Sequence, residues 1–260
     1  MKRKLDWRLK SHGCEILFED SAVLALNKPA GLLVLPDRYD KQKPSLFGIL
    51  NEELGKIYVV HRIDKETSGV IIFGKTSAAH RALNNQFQSR SVEKVYHAIV
   101  IGEVKQESMI IDVPLRESSK TGVVKIDLRR GKEAITELTV VKRFNGYMLL
   151  EVQPKTGRMH QIRVHLQHVG LPILGDDVYG GGSGFYLSQV KPGYRETGDE
   201  KPLLSRVALH ASLLRMEHPD SGEPLSIEAP LPKDMRSVLK YLEKFRSVSD
   251  HTMFSEAPLR

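Results

Sequence analysis

Cysteine is almost absent: Cys14 is the single one in 260 residues. That excludes an internal disulfide framework and a zinc site built on cysteines, and it fits a reducing compartment. No apolar run approaches the roughly 18 residues that a membrane span requires. The N-terminal Met1-Lys2-Arg3-Lys4-Leu5-Asp6 is basic and has no apolar segment of the signal-peptide kind. A Gly-x-Ser-x-Gly elbow is missing too, and Ser183 of Gly181-Gly182-Ser183-Gly184 lies in a loop-like stretch, which leaves a serine hydrolase unsupported. The expectation is a cytoplasmic protein with no membrane segment.

What is present is ordinary globular material, 40% hydrophobic and 27% charged, with length enough for one large domain or two small ones. Charge leans one way. Lys and Arg number 39 against 32 Asp and Glu, giving a net +7 and a pI near 9.3. Such a surface favours polyanions, nucleic acid above all. A basic protein without a polyanionic partner fits the charge equally well.

Periodicity supplies the elements. Residues 1–20 are mostly charged and read as a short basic arm or edge strand. Residues 22–27 read as a buried strand, 32–35 as its continuation beyond a Pro-Gly turn, and 70–73 as another. Thr76 or Ser77 can cap a helix whose apolar face is Ala79, Leu83 and Phe87. Residues 95–101 alternate as a strand. Residues 135–144 and 147–153 flank Asn145-Gly146, a hairpin signal in which both turn residues call for positive φ. A helix fits 160–169, with Gly170 as C-terminal cap. Residues 180–202 read as a long mobile loop and 207–214 as a strand. Asp234 can cap a final helix that turns Met235, Val238, Leu239, Leu242 and Phe245 inward. One α+β domain with a mixed, mostly antiparallel central sheet and flanking helices follows from these pieces.

One motif is a decoy. Gly69-Val70-Ile71-Ile72-Phe73-Gly74-Lys75-Thr76 satisfies the spacing of a phosphate-binding P-loop. Its middle residues belong in a buried strand, whereas a P-loop needs a backbone free to wrap phosphate. Metal binding is weak as well. His160 and His165 are five apart and do not share a helix face, and no nearby carboxylate or cysteine completes a set with His168.

Two segments are harder to explain by packing. Val60-His61-Arg62-Ile63-Asp64-Lys65-Glu66-Thr67-Ser68-Gly69 puts an acid at a turn that feeds the 70–73 strand, so the backbone is fixed while the side chain is presented. Lys155-Thr156-Gly157-Arg158-Met159-His160-Gln161-Ile162-Arg163 gathers Lys155, Arg158 and Arg163 at a strand-to-helix junction. Free helix N–H groups favour anions there, and an arginine can fork to a phosphate or to a carboxylate such as Asp64.

These segments resemble the RluA family of RNA pseudouridine synthases over about residues 20–235. The matching blocks are Asn27-Lys28-Pro29-Ala30-Gly31; His61-Arg62-Ile63-Asp64 with Thr67-Ser68-Gly69; Lys94-Val95-Tyr96-His97-Ala98; and Thr156-Gly157-Arg158-Met159-His160-Gln161-Ile162-Arg163-Val164-His165, followed by Gly175-Asp176 and Tyr179. They occur in the family order. The related RsuA group usually has glycine where this chain has His61.

The resemblance implies a cofactor-free, metal-free isomerase acting on tRNA or rRNA. Asp64 would be the catalytic carboxylate, Arg163 its charged partner, and Tyr96 a ring that stacks on uracil and moves a proton. Ile162 would pack beneath the base, and Arg62 would fill the space left by a flipped uridine. Lys28, His61, Arg158 and His160 are expected as scaffold or RNA contacts. Each residue has a quieter reading as well: Asp64 a structural ion pair, Tyr96 a core aromatic, Arg62 a solvated cation. Ile63 for leucine, Met159 for Thr or Ser, and Leu35-Pro36 for His-Pro depart mildly from the pattern. The expected division is an arm at 1–20, a catalytic domain at 21–247, and a tail at 248–260, in a monomer. The arm is too short for the small RNA-binding module many relatives carry, which leaves target selection to the catalytic domain.

Overall fold

The alternating apolar segments assemble into one large sheet, seen in a computed structural model that describes residues 2–38, 40–118, 122–194, 198 and 200–248. Helix α1 (Lys2–Ser11) leads into β1 (Glu15–Glu19) and β2 (Val23–Lys28). Helix α2 (Leu46–Leu54) and the short β3 (Tyr58–Val59) precede β4 (Ser68–Gly74). Helix α3 (Ser77–Gln88) joins β4 to β5 (Glu93–Ile101). Then come β6 (Ser108–Asp112), a small hairpin of β7 (Leu115–Glu117) and β8 (Val124–Ile126), and the long pair β9 (Ile135–Phe144) and β10 (Tyr147–Pro154). Helix α4 (Gln161–His168), β11 (Leu209–Glu217), β12 (Pro224–Glu228) and α5 (Lys233–Arg246) complete the order.

Among the described residues the main sheet has ten strands, ordered β1-β2-β4-β11-β5-β10-β9-β6, with β12 beside β11 and β3 beside β4. Only β4 and β11 pair in parallel; the other ladders are antiparallel. This is the expected α+β class with a mixed, mostly antiparallel sheet.

β4 settles the P-loop question. All seven of its residues are buried, and the backbone amides that would cradle a phosphate are committed to neighbouring strands. Gly69 is required there by packing. Its φ is +113°, and a Cβ would lie 2.1 Å from the Ala211 carbonyl oxygen of β11.

Several local expectations give way to tertiary partners. The basic arm is a helix, because Leu5 and Leu9, four apart, bury against Leu46, Ile49 and Leu50 of α2. Arg8 adds ion pairs to Glu52 and Glu53 at 2.5 and 2.7 Å. Residues 32–35 form no ladder strand beyond one bridge from Leu33 to Ser45, since the carbonyls of Leu33 and Val34 accept the first amides of α2, from Leu46 and Phe47. In the β9–β10 turn only Gly146 has positive φ, +80°; the Asn145 amide is held by the Arg246 carbonyl at 2.7 Å. The final helix is preceded by Pro232 rather than capped by Asp234. Asp234 sits in its first turn and forks to Arg206 at 2.7 and 2.9 Å. The stretch at 180–202, expected to be mobile, is pinned in its described part by fully buried Phe185, which bridges to Leu204, and by buried Val190. Of the tail expected at 248–260, residues 249–260 lie outside the described residues.

His210 of β11 locks the parallel junction. It is fully buried, its Nδ1 lies 2.9 Å from Ser68 Oγ and its Nε2 3.2 Å from the Ala229 carbonyl. A carbonyl can only accept, so Nε2 carries the hydrogen and Nδ1 accepts from the serine. Burial pushes His210 down to about 4 from an ordinary 6.5. Between those values the unfolded chain binds the extra proton, so stability is present above pH 6.5 and is lost as pH falls toward 4, with a limiting slope of about 1.4 kcal/mol per pH unit. In melting curves across that window, His210→Asn is expected to be less stable at pH 7 but flatter with pH. An unaltered slope would remove His210 from the acid response.

Candidate active site

The site starts from Lys28. Its side chain is fully buried at the end of β2, and its ammonium donates to the carbonyls of Pro29, Leu32 and Lys65 at 2.9, 2.8 and 3.0 Å. The Lys65 carbonyl also accepts the Gly31 amide at 2.8 Å. This clamp fixes the backbone next to Asp64. Burial pushes Lys28 down to about 8. With its donors spent and no exposure, Lys28 is a scaffold group, one of the two roles the sequence left open for it.

His61 is scaffold for a similar reason. Its Nε2 accepts the Ile72 amide of β4 at 3.1 Å, and its ring stacks on Phe87 of α3 at 4.7 Å between centroids. Burial, then the neighbouring Lys94 charge, push it down to about 3, so it is neutral at physiological pH. Ile63 is buried as well. Arg62 and Asp64, which alternate with these anchors, are left facing outward. Arg62 is exposed and, among the described residues, has no hydrogen bond or ion pair. The Asp64 side chain is 24% exposed.

The second half of the site comes from the start of α4. Thr156 and Gln161 tie the junction together: the Gln161 Oε1 accepts from Thr156 Oγ1 at 2.7 Å and from the Arg158 amide at 3.0 Å, and its Nε2 donates to the Ile135 carbonyl at 2.9 Å. That network supports His160 in the left-handed region, φ +51°, a conformation unfavourable for a residue with a Cβ. His160 thereby turns inward. Its Nδ1 lies 3.0 Å from the Tyr179 hydroxyl and its Nε2 3.8 Å from Asp64 Oδ2. The Tyr179 hydroxyl also accepts the Val124 amide of β8 at 3.0 Å. Burial lowers the His160 pKa and Asp64 opposes the shift.

Arg163 is only 7% exposed. Its Nε and Nη2 fork to Asp176 at 2.7 and 2.8 Å, and its guanidinium lies over the Tyr179 ring at 4.9 Å. The remaining Nη1 faces Asp64 Oδ2 at 3.7 Å. The expected Arg163–Asp64 partnership is therefore an ion-pair contact, while the hydrogen bonds belong to Asp176. Asp176 is fully buried and also accepts the amides of Val178 and Tyr179. The sequence displayed Gly175-Asp176 and Tyr179 beside the other blocks but offered no role for them, since their partners lie elsewhere in the chain.

Tyr96 projects from β5 into the same cleft. Burial, then the charge of Asp64, raise the pKa of its phenol, so it keeps its proton at neutral pH. Ile162 is buried at the cleft wall. The cleft encloses about 690 Å³ and brings together Arg62, Asp64, Tyr96, His160, Ile162 and Arg163. Arg158 stands at its side, donating Nε to the Glu133 carbonyl at 2.9 Å. The other histidines diverge. His165 is buried against Thr136 Oγ1 and the Val113 carbonyl, at 2.9 and 3.0 Å, and His168 is exposed. Among the described residues, no group of three His, Cys, Asp or Glu is placed to hold a metal.

Removing half of the Arg163–Asp176 fork leaves a buried charge uncompensated. Asp176→Asn should lower unfolding free energy by about 3 kcal/mol in denaturant titration; a loss under about 1 kcal/mol would show that Asp176 is not the main counter-charge.

The chain is similar to known proteins along most of its length. Residues 22–168 match the family model described as RNA pseudouridylate synthase. An uncharacterized RNA pseudouridine synthase of Chlorobaculum parvum is 42% identical over 90% of this chain and 74% of that protein. The dual-specificity RNA pseudouridine synthase RluA of Vibrio vulnificus is 37% identical over 91% of this chain and 92% of its own length. Among solved structures, human RNA pseudouridylate synthase domain containing 4 superposes with a TM-score of 0.68 at 25% identity, covering 94% of this chain and 98% of that one.

Proposed function

The chain belongs to the RluA family of RNA pseudouridine synthases, and on that footing we propose that Asp64 is the carboxylate with which it isomerises specific uridines of structured RNA, ribosomal or transfer, to pseudouridine. One observation carries the assignment. Asp64 is the acid of the cleft that keeps its oxygens free while a buried cation, Arg163, stands 3.7 Å away.

The reaction breaks the bond between the ribose C1′ and N1 of uracil, turns the base, and joins C1′ to C5. The proton on C5 is lost to solvent and N1 gains one, so the isomerisation is redox-neutral. Attack on the ring, attack on the sugar, and proton abstraction to a glycal all require an ionised carboxylate within reach of the nucleoside. Arg163 sets a positive charge 3.7 Å from the Asp64 carboxylate. Tyr96, a neutral phenol, stacks on the uracil and moves a proton in this reading. Ile162 packs beneath the base. Arg62 occupies the gap that the flipped uridine leaves in its stack. Arg158 and His160 contact the RNA at the sides of the cleft. The same reading makes the enzyme a cytoplasmic monomer that needs neither cofactor nor metal, with RNA attracted by the +7 net charge.

Transcripts carrying tritium at C5 of uridine test this without ATP or metal. Wild type should release tritium. Asp64→Asn should release none while still binding RNA, and release by Asp64→Ala would end the assignment. Arg62→Ala should lower turnover more than affinity, because its part is played after the base leaves the stack; a pure affinity defect would contradict it.

A further inference from the structure

Lys94 is a cation of the cleft for which the isomerisation has given no use. It lies on β5 two residues before Tyr96, hence on the same face of the strand, and lines the cleft that holds Asp64. Its side chain is half-buried, and its ammonium makes one hydrogen bond, to the Thr156 carbonyl at 3.2 Å. Among the described residues no carboxylate pairs with it, and the charges that act on it are those of Arg90 and Lys155, both positive.

The acids beside Arg90 and Lys155 are already taken. Arg90 is forked by Glu133 at 2.7 and 3.2 Å. Lys155 is paired with Glu137 at 2.8 Å. Arg158, next along the cleft, spends its Nε on a backbone carbonyl and, among the described residues, makes no ion pair with a carboxylate. Between Thr156 and Arg158, Gly157 borders open space: a Cβ there would meet nothing within 4 Å. Burial, then Arg90 and Lys155, push Lys94 down to about 8. A cation held partly out of water among other cations is unfavourable until an anion arrives.

We propose that Lys94 and Arg158, on either side of the open Gly157, form a phosphodiester subsite that grips the RNA backbone beside the target uridine and sets its register over Asp64. The proposal rests on the isomerase reading and adds a substrate-positioning group to it. A phosphate contact of this kind fixes register and carries no base preference.

Tritium-release kinetics over a KCl series test it with the full-length enzyme. Lys94→Met is expected to raise KM about tenfold with kcat changed less than about twofold, the pattern of a contact made equally in ground and transition states. The slope of log KM against log salt should shrink by about 0.7, the share of one phosphate in a single strand. Lys94→Arg should retain most of both. Substrates with one methylphosphonate at successive linkages around the uridine supply an arm that needs no variant. One neutral linkage should reproduce the KM rise in wild type and add nothing in Lys94→Met. An unchanged salt slope in natively folded Lys94→Met, a kcat loss at constant KM, or no linkage that behaves this way would overturn the subsite. If wild type released no tritium from any transcript, the isomerase reading would fall; the salt slope of filter binding would still decide the phosphate contact.

Discussion

The site depends on how the charge of Arg163 is balanced. A guanidinium buried this deeply costs several kcal/mol unless it is paired and hydrogen-bonded. Asp176 supplies the pairing: fully buried, it accepts two N–H groups from Arg163 and two backbone amides from its own turn. Asp64 is thereby relieved of that duty. Were Asp64 the counter-ion, its oxygens would be locked in a fork; at 3.7 Å it feels the charge and stays free to react. The Tyr179 ring beneath the guanidinium completes the cradle, and the Tyr179 hydroxyl extends it to His160 and to β8.

A second constraint is backbone rather than charge. Asp64 sits on a segment with only the two-residue β3 before it, so something else must fix its position. Lys28 does so by gathering three carbonyls, one of them from Lys65, and His61 does so by accepting the β4 amide of Ile72. Lys28 is buried and satisfied by backbone carbonyls, the condition under which such burial is tolerated, and the half-buried His61 takes a backbone amide. Their fixed positions let Arg62 and Asp64 alternate outward. The distribution of the other charges complements this. Acids neutralise the cations on the rim, Arg90 and Lys155, while Arg62, Lys94 and Arg158 meet the cleft without carboxylate partners among the described residues.

Local order was the most legible part of the chain. The 135–144 and 147–153 strands around Asn145-Gly146, the helix after Thr76, and the buried strand concealed in a phosphate-loop spacing follow from side-chain period and turn chemistry, which act within a few residues. Elements whose stability comes from remote partners read less well. Helix α1 looked like a charged arm because Leu5 and Leu9 matter only once α2 is there to cover them. Residues 32–35 looked like a strand because nothing local shows that α2 will take their carbonyls.

For the site, the sequence by itself determined which residue types stand in which order: the His61–Asp64 run, Tyr96 on an alternating strand, Ile162 and Arg163 opening a helix, and with them the family. Tertiary structure alone decided the division of labour. It spent Lys28 and His61 on the backbone, gave the hydrogen bonds of Arg163 to Asp176, turned His160 toward Asp64 through a left-handed backbone, and left Lys94 without a carboxylate partner among the described residues. The reason is physical. Period and turn preference are properties of neighbours along the chain, whereas burial, pairing and charge balance are set by groups that meet only when distant segments are packed together.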